Sequence, residues 1–414
     1  MISNKLARFP NIGLDFTKDL LFDHRLLTPV MSTTTDENGL YSFSDVPDGQ
    51  YNIVAKKSGY GWRYQLNVDA TTSIPDLKLF REKSVSGTID TYTVWSADQH
   101  IIVNSDLTIH EGGTLLIDKG CVVRIGGNYE IKGDGGIQVN GTADDKVWFT
   151  ANVPSNEPGY TAWRGISANG RTTINNARID FAVNGIKTSS AEYVISHSLF
   201  DKVGDSGVLI TRESTGTVEN CAFMDCPTGI RIEGNSYADV DNNLFVTMAA
   251  NYVGSGLVIN ASSAKVVNNL FRGFNIACSF EFNTFGSFLH NYLENCTTGL
   301  YVNKASFEAA KPVLFESNIL KNCTKTAIDI YNCDSPIVEQ NTILQSGKGL
   351  LISGYAVHWH DTKSVSFPQN YWGLTELNDI LRYIDVRDNE SETQPYTIYV
   401  APILTEPPAD AGPQ

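Results

Sequence analysis

The chain has 414 residues and a formal net charge of −15 at pH 7, with an isoelectric point near 4.9. Because an acidic surface repels phosphate groups, this charge argues against nucleic acid and anionic membranes as partners. No apolar run approaches the roughly 18 residues that a membrane-spanning helix needs, so we expect no membrane span. Residues 1–10 lack the apolar stretch of a secretory leader, so either a leader has been removed or the protein is not exported by the usual route.

The N-terminal part, residues 1–82, is predicted to be a small β module beside a larger domain. Strand-forming runs at 33–43 and 46–54 are broken by turn residues, and Asp48-Gly49 favours a tight hairpin turn. This stretch resembles the carboxypeptidase-regulatory-like β-sandwich domain. The resemblance implies a sandwich-like module of the kind found beside extracellular bacterial domains.

Three polar residues of this module are candidate calcium ligands: Asp36, Asn38 and Asp48. Their spacing does not fit an EF-hand loop, so we favour roles in turns. We therefore expect no cofactor and no metal site, with calcium kept as an open alternative.

Residues 83–170 are predicted to form the N-terminal cap and the first coils of a solenoid. Short apolar strands separated by turn residues support this. The predicted strands are Leu107–Ile117, Val122–Ile125, Gly136–Thr142, Val147–Thr150 and Trp163–Ile166.

Residues 171–373 repeat with a period of about 22 residues, and the pattern within each repeat is not helical. One motif ends in a large apolar residue, and its copies end at Phe200, Phe223, Phe245, Phe271, Leu293, Leu320, Ile343 and Trp372. A second motif is a small residue before a short strand, and its copies begin at Gly207, Gly229, Gly256, Ser279, Gly299, Ala327 and Gly349. A fixed period of this length predicts a solenoid in which each coil buries its apolar column on the next.

A column of asparagines runs two residues before the large apolar residue: Asn243, Asn269, Asn291, Asn318, Asn341 and Asn370. Stacked amides can hydrogen-bond along the axis, so we predict an internal asparagine ladder. Cys226, Cys296 and Cys323 each precede the small-residue motif and are predicted to be buried as free thiols.

The periodic columns, the ladder and the ending Asn370–Gly373 resemble the right-handed parallel β-helix proteins of the pectate-lyase-like superfold. The resemblance covers about residues 105–373. It implies an all-β, right-handed parallel β-helix, and it leaves the activity open because lyases, hydrolases, epimerases, adhesins and spikes share the fold.

Residues 374–414 are predicted to cap the C-terminal end of the solenoid. Apolar residues at helical spacing within 374–384 predict a short helix, and 396–400 predict a last strand. The Pro-rich tail is predicted to be disordered or a linker.

Candidate site residues come from the strands of the second motif, where alternate side chains point outward. We place Glu281, Tyr301 and Asp329 in one outward column, with the two carboxylates two coils and about 9.6 Å apart. Inverting glycosidases hold an acid and a base about 6.5–9.5 Å apart, so this pair is a candidate catalytic pair. An ordinary solvated strand face is the alternative.

The same face supplies candidate substrate-binding residues. Tyr301 and Tyr331 can stack on sugar rings, and Arg231, Asn283 and Asn303 can hydrogen-bond to a glycan. Arg231 and Lys187 are the bases of the first outward column, so the carboxylate-and-base set of the superfamily's lyases is incomplete.

Insertions interrupt the period near Asn251, at 305–312 and at 355–362, and loops on a rigid solenoid are suited to form a binding wall. The last one contains His358-Trp359-His360-Asp361. Trp359 is a further candidate for sugar contact, whereas a metal site here lacks a third ligand and is not favoured.

We therefore predict an extracellular or cell-surface bacterial protein that binds a polysaccharide or cell-surface glycan on its lateral face without catalysis. Two alternatives stay open. One is a polysaccharide-degrading enzyme, either an inverting glycoside hydrolase or a polysaccharide lyase. The other is a structural stalk, spike or assembly subunit.

Overall fold

Three short strands per coil build the solenoid of this computed structural model, and all strand pairings between coils are parallel. The structure describes residues 21–71, 73–157, 159–247, 253–305, 313–333, 336–353, 364–386 and 397–414. The chain winds as a right-handed β-solenoid, which confirms the predicted fold class.

Within the described part of the chain, sheet 1 contains eleven parallel strands from successive coils. They are Tyr92–Trp95, Thr114–Asp118, Gly136–Asn140, Thr172–Asn175, Glu192–Ser196, Thr215–Glu219, Tyr237–Asp241, Ser263–Val267, Phe285–Leu289, Val313–Glu316 and Ile337–Glu339.

Sheet 2 follows sheet 1 along each coil and has the shortest strands. They are Val122–Ile125, Val147–Ala151, Ala177–Asp180, Leu199–Asp201, Ala222–Met224, Leu244–Val246, Leu270–Arg272, Tyr292–Glu294, Ile319–Lys321 and Thr342–Leu344.

Sheet 3 contains the strands that carry the small-residue motif. They are Glu130–Gly133, Gly165–Ala168, Ile186–Ser189, Ser206–Thr211, Thr228–Glu233, Ser255–Asn260, Ile276–Glu281, Thr298–Asn303, Thr326–Tyr331, Lys348–Ser353 and Ile384–Val386. Two long strands, Glu82–Ile89 and His100–Ile109, join sheets 2 and 3 at the N-terminal end because each runs through both.

The middle residue of each short sheet 2 strand points into the solenoid and stacks on its neighbour one coil away. Phe200, Phe223, Phe245 and Phe271 form a continuous ring stack with centroids 4.9, 4.9 and 4.5 Å apart. Small residues in sheet 3 make room for these rings, since a Cβ on Gly229 would lie 2.5 Å from the Phe245 ring. This explains why the two sequence motifs alternate.

The asparagine ladder is confirmed, and each rung satisfies backbone as well as side-chain groups. Asn291 donates from Nδ2 to Asn318 Oδ1 at 3.1 Å and to the Val266 carbonyl at 3.0 Å. Its own Oδ1 accepts from the backbone and side-chain nitrogens of Asn269 at 2.8 and 3.0 Å. The amide column therefore hydrogen-bonds the turn between sheets 1 and 2 of one coil to the same turn of the next.

The turn that carries the ladder has a recurring backbone conformation. The residue before each of these rungs has a positive φ, between 55° and 60° at Asn242, Asn268, His290, Ser317 and Gln340. His290 suits this position, because polar residues with short-range hydrogen bonding tolerate the left-handed region.

The seven cysteines are buried, and Cys226, Cys296 and Cys323 are free thiols, which confirms the prediction for these three. Burial raises the pKa of Cys296 to about 11 and that of Cys323 to about 12. These thiols are therefore protonated at neutral pH and act as small apolar groups.

Among the described residues before 83, one antiparallel hairpin is present, Gln50–Ala55 with Arg63–Asp69, together with the short 3-10 turn His24–Leu26. Residues 33–43 contain no strand, so the strand predicted there is wrong. The sandwich-like module is accordingly not confirmed, and the boundary at residue 82 stays a prediction.

Arg25 fixes this N-terminal region to the outer face of sheet 2. Its guanidinium carbon lies 4.9 and 5.0 Å from the ring centroids of Trp62 and Trp148, and the guanidinium donates to the Ala151 carbonyl at 2.6 Å. The guanidinium carbon of Arg178 also lies over the Trp148 ring, 4.3 Å from its centroid, and Arg178 pairs with the buried Asp180 at 3.0 Å. Alternating cations and indoles therefore connect hairpin, turn and solenoid.

The C-terminal end is capped as predicted by the helix Leu377–Tyr383, and the strand Thr397–Tyr399 is also present. Ile380 is buried, and the Tyr383 hydroxyl accepts from the Ser346 amide at 2.8 Å. The prediction of a disordered tail is wrong. Ala411 is buried, and the Gly412 amide donates to the Ser317 carbonyl at 2.7 Å, so the tail packs back along the solenoid.

Asp201 gives a pH-dependent prediction, because it lies on sheet 2 directly beside Asp180. Burial raises the pKa of Asp201 to about 7 despite the attraction of Arg178, and the Asp180 carboxylate adds to the rise. The pKa of Asp201 in the folded protein lies above the unfolded value of about 3.9. Ionising this carboxyl group therefore destabilises the fold; the loss of stability is absent below pH 4, grows as the pH rises and is complete above pH 7.

Asp201→Asn should therefore raise the melting temperature at pH 8 and leave it nearly unchanged at pH 4. One pKa unit corresponds to about 1.4 kcal/mol, so a gain of at least about 2 kcal/mol is expected at pH 8. The control Asp144→Asn removes an exposed carboxylate and should show no such pH dependence. A loss of stability at pH 8 would contradict the assignment.

Candidate functional site

The outer face of sheet 3 carries two columns of side chains, because alternate residues of each strand point away from the core. The first column contains Lys187, Leu209, Arg231, Val258, Ser279, Tyr301, Asp329 and Leu351. The second contains Glu233, Asn260, Glu281, Asn303, Tyr331 and Ser353. Polar and aromatic groups concentrate on the middle coils.

The predicted register of one strand is wrong. Ser279, not Glu281, pairs with Tyr301 in the first column, and Glu281 pairs with Asn303 in the second. The sequence motif was aligned from Ser279, whereas the residue opposite Gly256 is Ala277. A shift of two residues preserves which side faces outward, so Glu281 still lies on the outer face.

The same shift removes Asn283 from the strand. It lies in the turn after sheet 3 with a φ of 55°, and its amide donates to the Lys304 carbonyl at 2.9 Å. Its predicted position on the outward face of the strand is therefore wrong. Its contact with a glycan stays a prediction.

Tyr301 lies at the centre of the polar and aromatic residues. Partial burial raises the pKa of Tyr301, and the carboxylates of Asp329 and Glu281 add to the rise, followed by Tyr331. These groups therefore lie close enough to Tyr301 to act on the same phenol. Nearby carboxylates keep that hydroxyl protonated and able to donate a hydrogen bond.

The two carboxylates differ in their surroundings. Asp329 is largely buried and has Lys325 Nζ 3.5 Å from its Oδ2, whereas Glu281 is half-buried. Two coils and one column separate their backbones, a distance of about 12 Å at usual strand spacings. This exceeds the about 9.6 Å expected from one shared column, so the side chains must converge further to form an acid and base pair.

Phe282 and Phe285, which the sequence analysis missed, are exposed beside these residues. Phe282 occupies the turn with a φ of 47° and is 44% exposed, and Phe285 is 39% exposed at the start of the next sheet 1 strand. The misaligned motif had placed Phe282 at a core position. Ala277 marks the correct start of the motif in this strand, since Ala327 shows that alanine can begin the motif.

We call Phe282, Phe285, Tyr301 and Tyr331 the aromatic corner, since they surround the edge between sheets 3 and 1. Tyr331 is 38% exposed in the second column, one coil beyond Asn303. The Nζ of Lys304 lies 5.7 Å from the centroid of the Phe282 ring. Four aromatic side chains on neighbouring coils thus make an extended platform with Asn303 and the carboxylates between them.

Arg231 lies outside the aromatic corner. It is three coils from Tyr301 in the first column, about 14 Å away at the usual spacing of strands. Its Nη2 donates to Thr228 Oγ1 at 3.2 Å. Only a long glycan could contact Arg231 and the aromatic corner at the same time.

Trp359 and the sequence His358–Asp361 lie outside the described residues, as do most of the predicted insertions, 248–252, 306–312 and 354–363. Within the described ranges, no group of three or more His, Cys, Asp or Glu side chains is arranged to hold a metal ion. In that part of the chain, no helix has the length and apolar character for a membrane span.

Residues 93–245 and 164–370 match the family described as the right-handed beta helix region. The two matches together cover well over half of the chain, and the protein belongs to this family. No curated protein matches the chain.

Two solved structures are only distantly similar to this chain. The periplasmic alginate epimerase AlgG has a TM-score of 0.42 and 12% identity over 75% of this chain and 77% of that chain. The surface protein and adhesin PfbA of Streptococcus pneumoniae has a TM-score of 0.27 and 12% identity over 77% and 91%. Likeness at this level carries no argument about activity, partner or location.

Proposed function

We propose that the protein binds an extended polysaccharide or cell-surface glycan across the aromatic corner, without catalysis and outside the cell. The observation that carries this proposal is the grouping of exposed aromatic rings on adjacent coils, with three of them 38–44% exposed. A cluster of large apolar side chains exposed to solvent is best explained by a ligand that covers it.

The chemistry of the corner suits a sugar polymer. An aromatic face packs against the C–H face of a pyranose ring, and a tyrosine adds a hydroxyl at its edge. Asn303, Glu281 and Asp329 supply donors and acceptors for sugar hydroxyls, which fixes orientation. Because the coils stack about 4.8 Å apart in a rigid array, the platform is already formed before binding and little ordering is required.

Removing both tyrosines of the aromatic corner tests this proposal. The double variant Tyr301→Ala, Tyr331→Ala should weaken glycan binding at least about fivefold, since each ring contact contributes about 0.5–1.5 kcal/mol. The melting temperature should change little, because both side chains lie on the outer face. A polysaccharide array identifies the ligand, and titration calorimetry then measures the affinity.

The matched control is Tyr92→Ala, which removes a 63% exposed tyrosine on the first sheet 1 strand. It should leave binding at the wild-type value. Equal affinity of the double variant and the wild type would place the binding site elsewhere.

Hydrolysis is the second candidate, because Glu281 and Asp329 both act on the Tyr301 phenol. One carboxyl group would protonate the leaving oxygen and the other would activate water, with inversion at the anomeric carbon. A hydrolase would release reducing ends, and Glu281→Gln and Asp329→Asn would each abolish the release. Ultraviolet-absorbing unsaturated products would indicate a lyase, and binding without any product supports the non-catalytic proposal.

A further inference from the structure

The charges around the aromatic corner point to the class of glycan, an inference that rests on the proposed function. We propose that the corner takes an uncharged polysaccharide and discriminates against polyuronates and sulfated polymers. The relevant groups are the carboxylates of Glu281 and Asp329 and the ammonium groups of Lys304 and Lys325.

Among the described residues, the charged groups that shift the pKa of the central Tyr301 are two carboxylates. Asp329 follows Tyr301 by one coil in the same column, and Glu281 lies diagonally from Tyr301 on the preceding coil. The direction of the shift at Tyr301 agrees, since both carboxylates raise its pKa. A uronate or sulfate group placed against this ring would meet negative charge at close range.

The nearby cations among the described residues are already engaged. Lys325 Nζ lies 3.5 Å from Asp329 Oδ2, and Lys304 Nζ lies over the Phe282 ring at 5.7 Å. Arg231 is three coils away and donates to Thr228. Binding an anionic chain would require these lysines to give up their contacts, within a protein of net charge −15.

An uncharged glycan is not repelled by these carboxylates and can hydrogen-bond to them. Carboxylates accept hydrogen bonds from sugar hydroxyls, and such charge-assisted bonds are stronger than neutral ones. Aromatic rings contribute the apolar contact. The corner therefore pairs apolar platforms with acceptor groups, which suits hydroxyl-rich sugars without acidic substituents.

The test compares wild-type binding to soluble neutral polymers, namely a glucan, a mannan and a xylan, with binding to polygalacturonate, alginate and heparin. Measurements are made at 50 and at 500 mM salt. We expect at least one neutral polymer to bind with an affinity that changes less than about twofold with salt, since no ion pair forms. Every anionic polymer should bind at least about tenfold more weakly at 50 mM salt.

Charge removal sharpens the test. The double variant Glu281→Gln, Asp329→Asn should reduce the difference in binding affinity between anionic and neutral polymers at low salt. The matched control, Glu111→Gln with Asp144→Asn, removes the same charge from exposed positions on the first coils and should leave this difference unchanged.

The outcomes separate the two proposals. If an anionic polymer binds as tightly as the neutral ones and loses affinity in the Tyr301→Ala, Tyr331→Ala variant, the inference is overturned and the proposed function stands. If no polymer binds, or if binding survives that double variant, both are overturned.

Discussion

Replacing Asn291 with leucine should destabilise the solenoid by about 4 kcal/mol, because two buried backbone groups lose their partners. The Asn269 amide would no longer have the Asn291 Oδ1 acceptor at 2.8 Å, and the Val266 carbonyl would lose the Nδ2 donor at 3.0 Å. Each orphaned group costs about 1–3 kcal/mol when water cannot reach it. The expected result is a large drop in melting temperature and in the denaturant midpoint.

The matched control for this variant is Asn260→Leu, which makes the same chemical change on the outer face of sheet 3. A surface substitution of this kind should change stability by no more than about 0.5 kcal/mol. If both variants melted together with the wild type, the ladder would have no stabilising role.

The ladder could be predicted from sequence because the solenoid translates a one-dimensional period into a column. Residues one repeat apart must stack, so the asparagines at 291 and 318 face the same environment whatever the length of the loop between them. The structure confirms their contact at 3.1 Å. The same logic predicted the phenylalanine column, since an inward position on one coil is inward on the next.

The register at Ser279 failed for a local reason. The strand Ile276–Glu281 has Ala277 and Cys278 where its neighbours have glycine and leucine, so the small-residue signal is weak. An alternating pattern is unchanged by a shift of two residues, because side chains repeat with a period of two along a strand. The candidate site was therefore placed on the correct face but with Glu281 in the wrong column, and Phe282 was missed.

The N-terminal packing could not be predicted because it follows no period. Arg25, Trp62, Trp148 and Arg178 lie far apart in the sequence, and nothing in their local patterns connects them. Their contacts depend on how the described hairpin docks on sheet 2. The packing of the C-terminal tail could not be predicted for the same reason. Its prolines predict an extended segment but not the hydrogen bond from Gly412 to Ser317.

Truncating Phe245 to alanine should cost about 3–5 kcal/mol, because the ring lies within a continuous stack that cannot collapse around a void. Its centroid is 4.9 Å from that of Phe223 and 4.5 Å from that of Phe271, and all three side chains are fully buried. The rigid coil spacing holds these neighbours apart, so the cavity stays open.

Phe245→Leu should cost only about 1 kcal/mol, because Leu293 and Leu320 occupy the same column on later coils and show that the site accepts leucine. The control Phe282→Ala removes an exposed ring of equal size from the aromatic corner, and its melting temperature should stay near that of the wild type. Thermal unfolding of the three variants should therefore rank Phe245→Ala far below the other two. A Phe245→Ala protein as stable as Phe282→Ala would mean that the ring stack adds nothing to the burial already supplied by neighbouring coils.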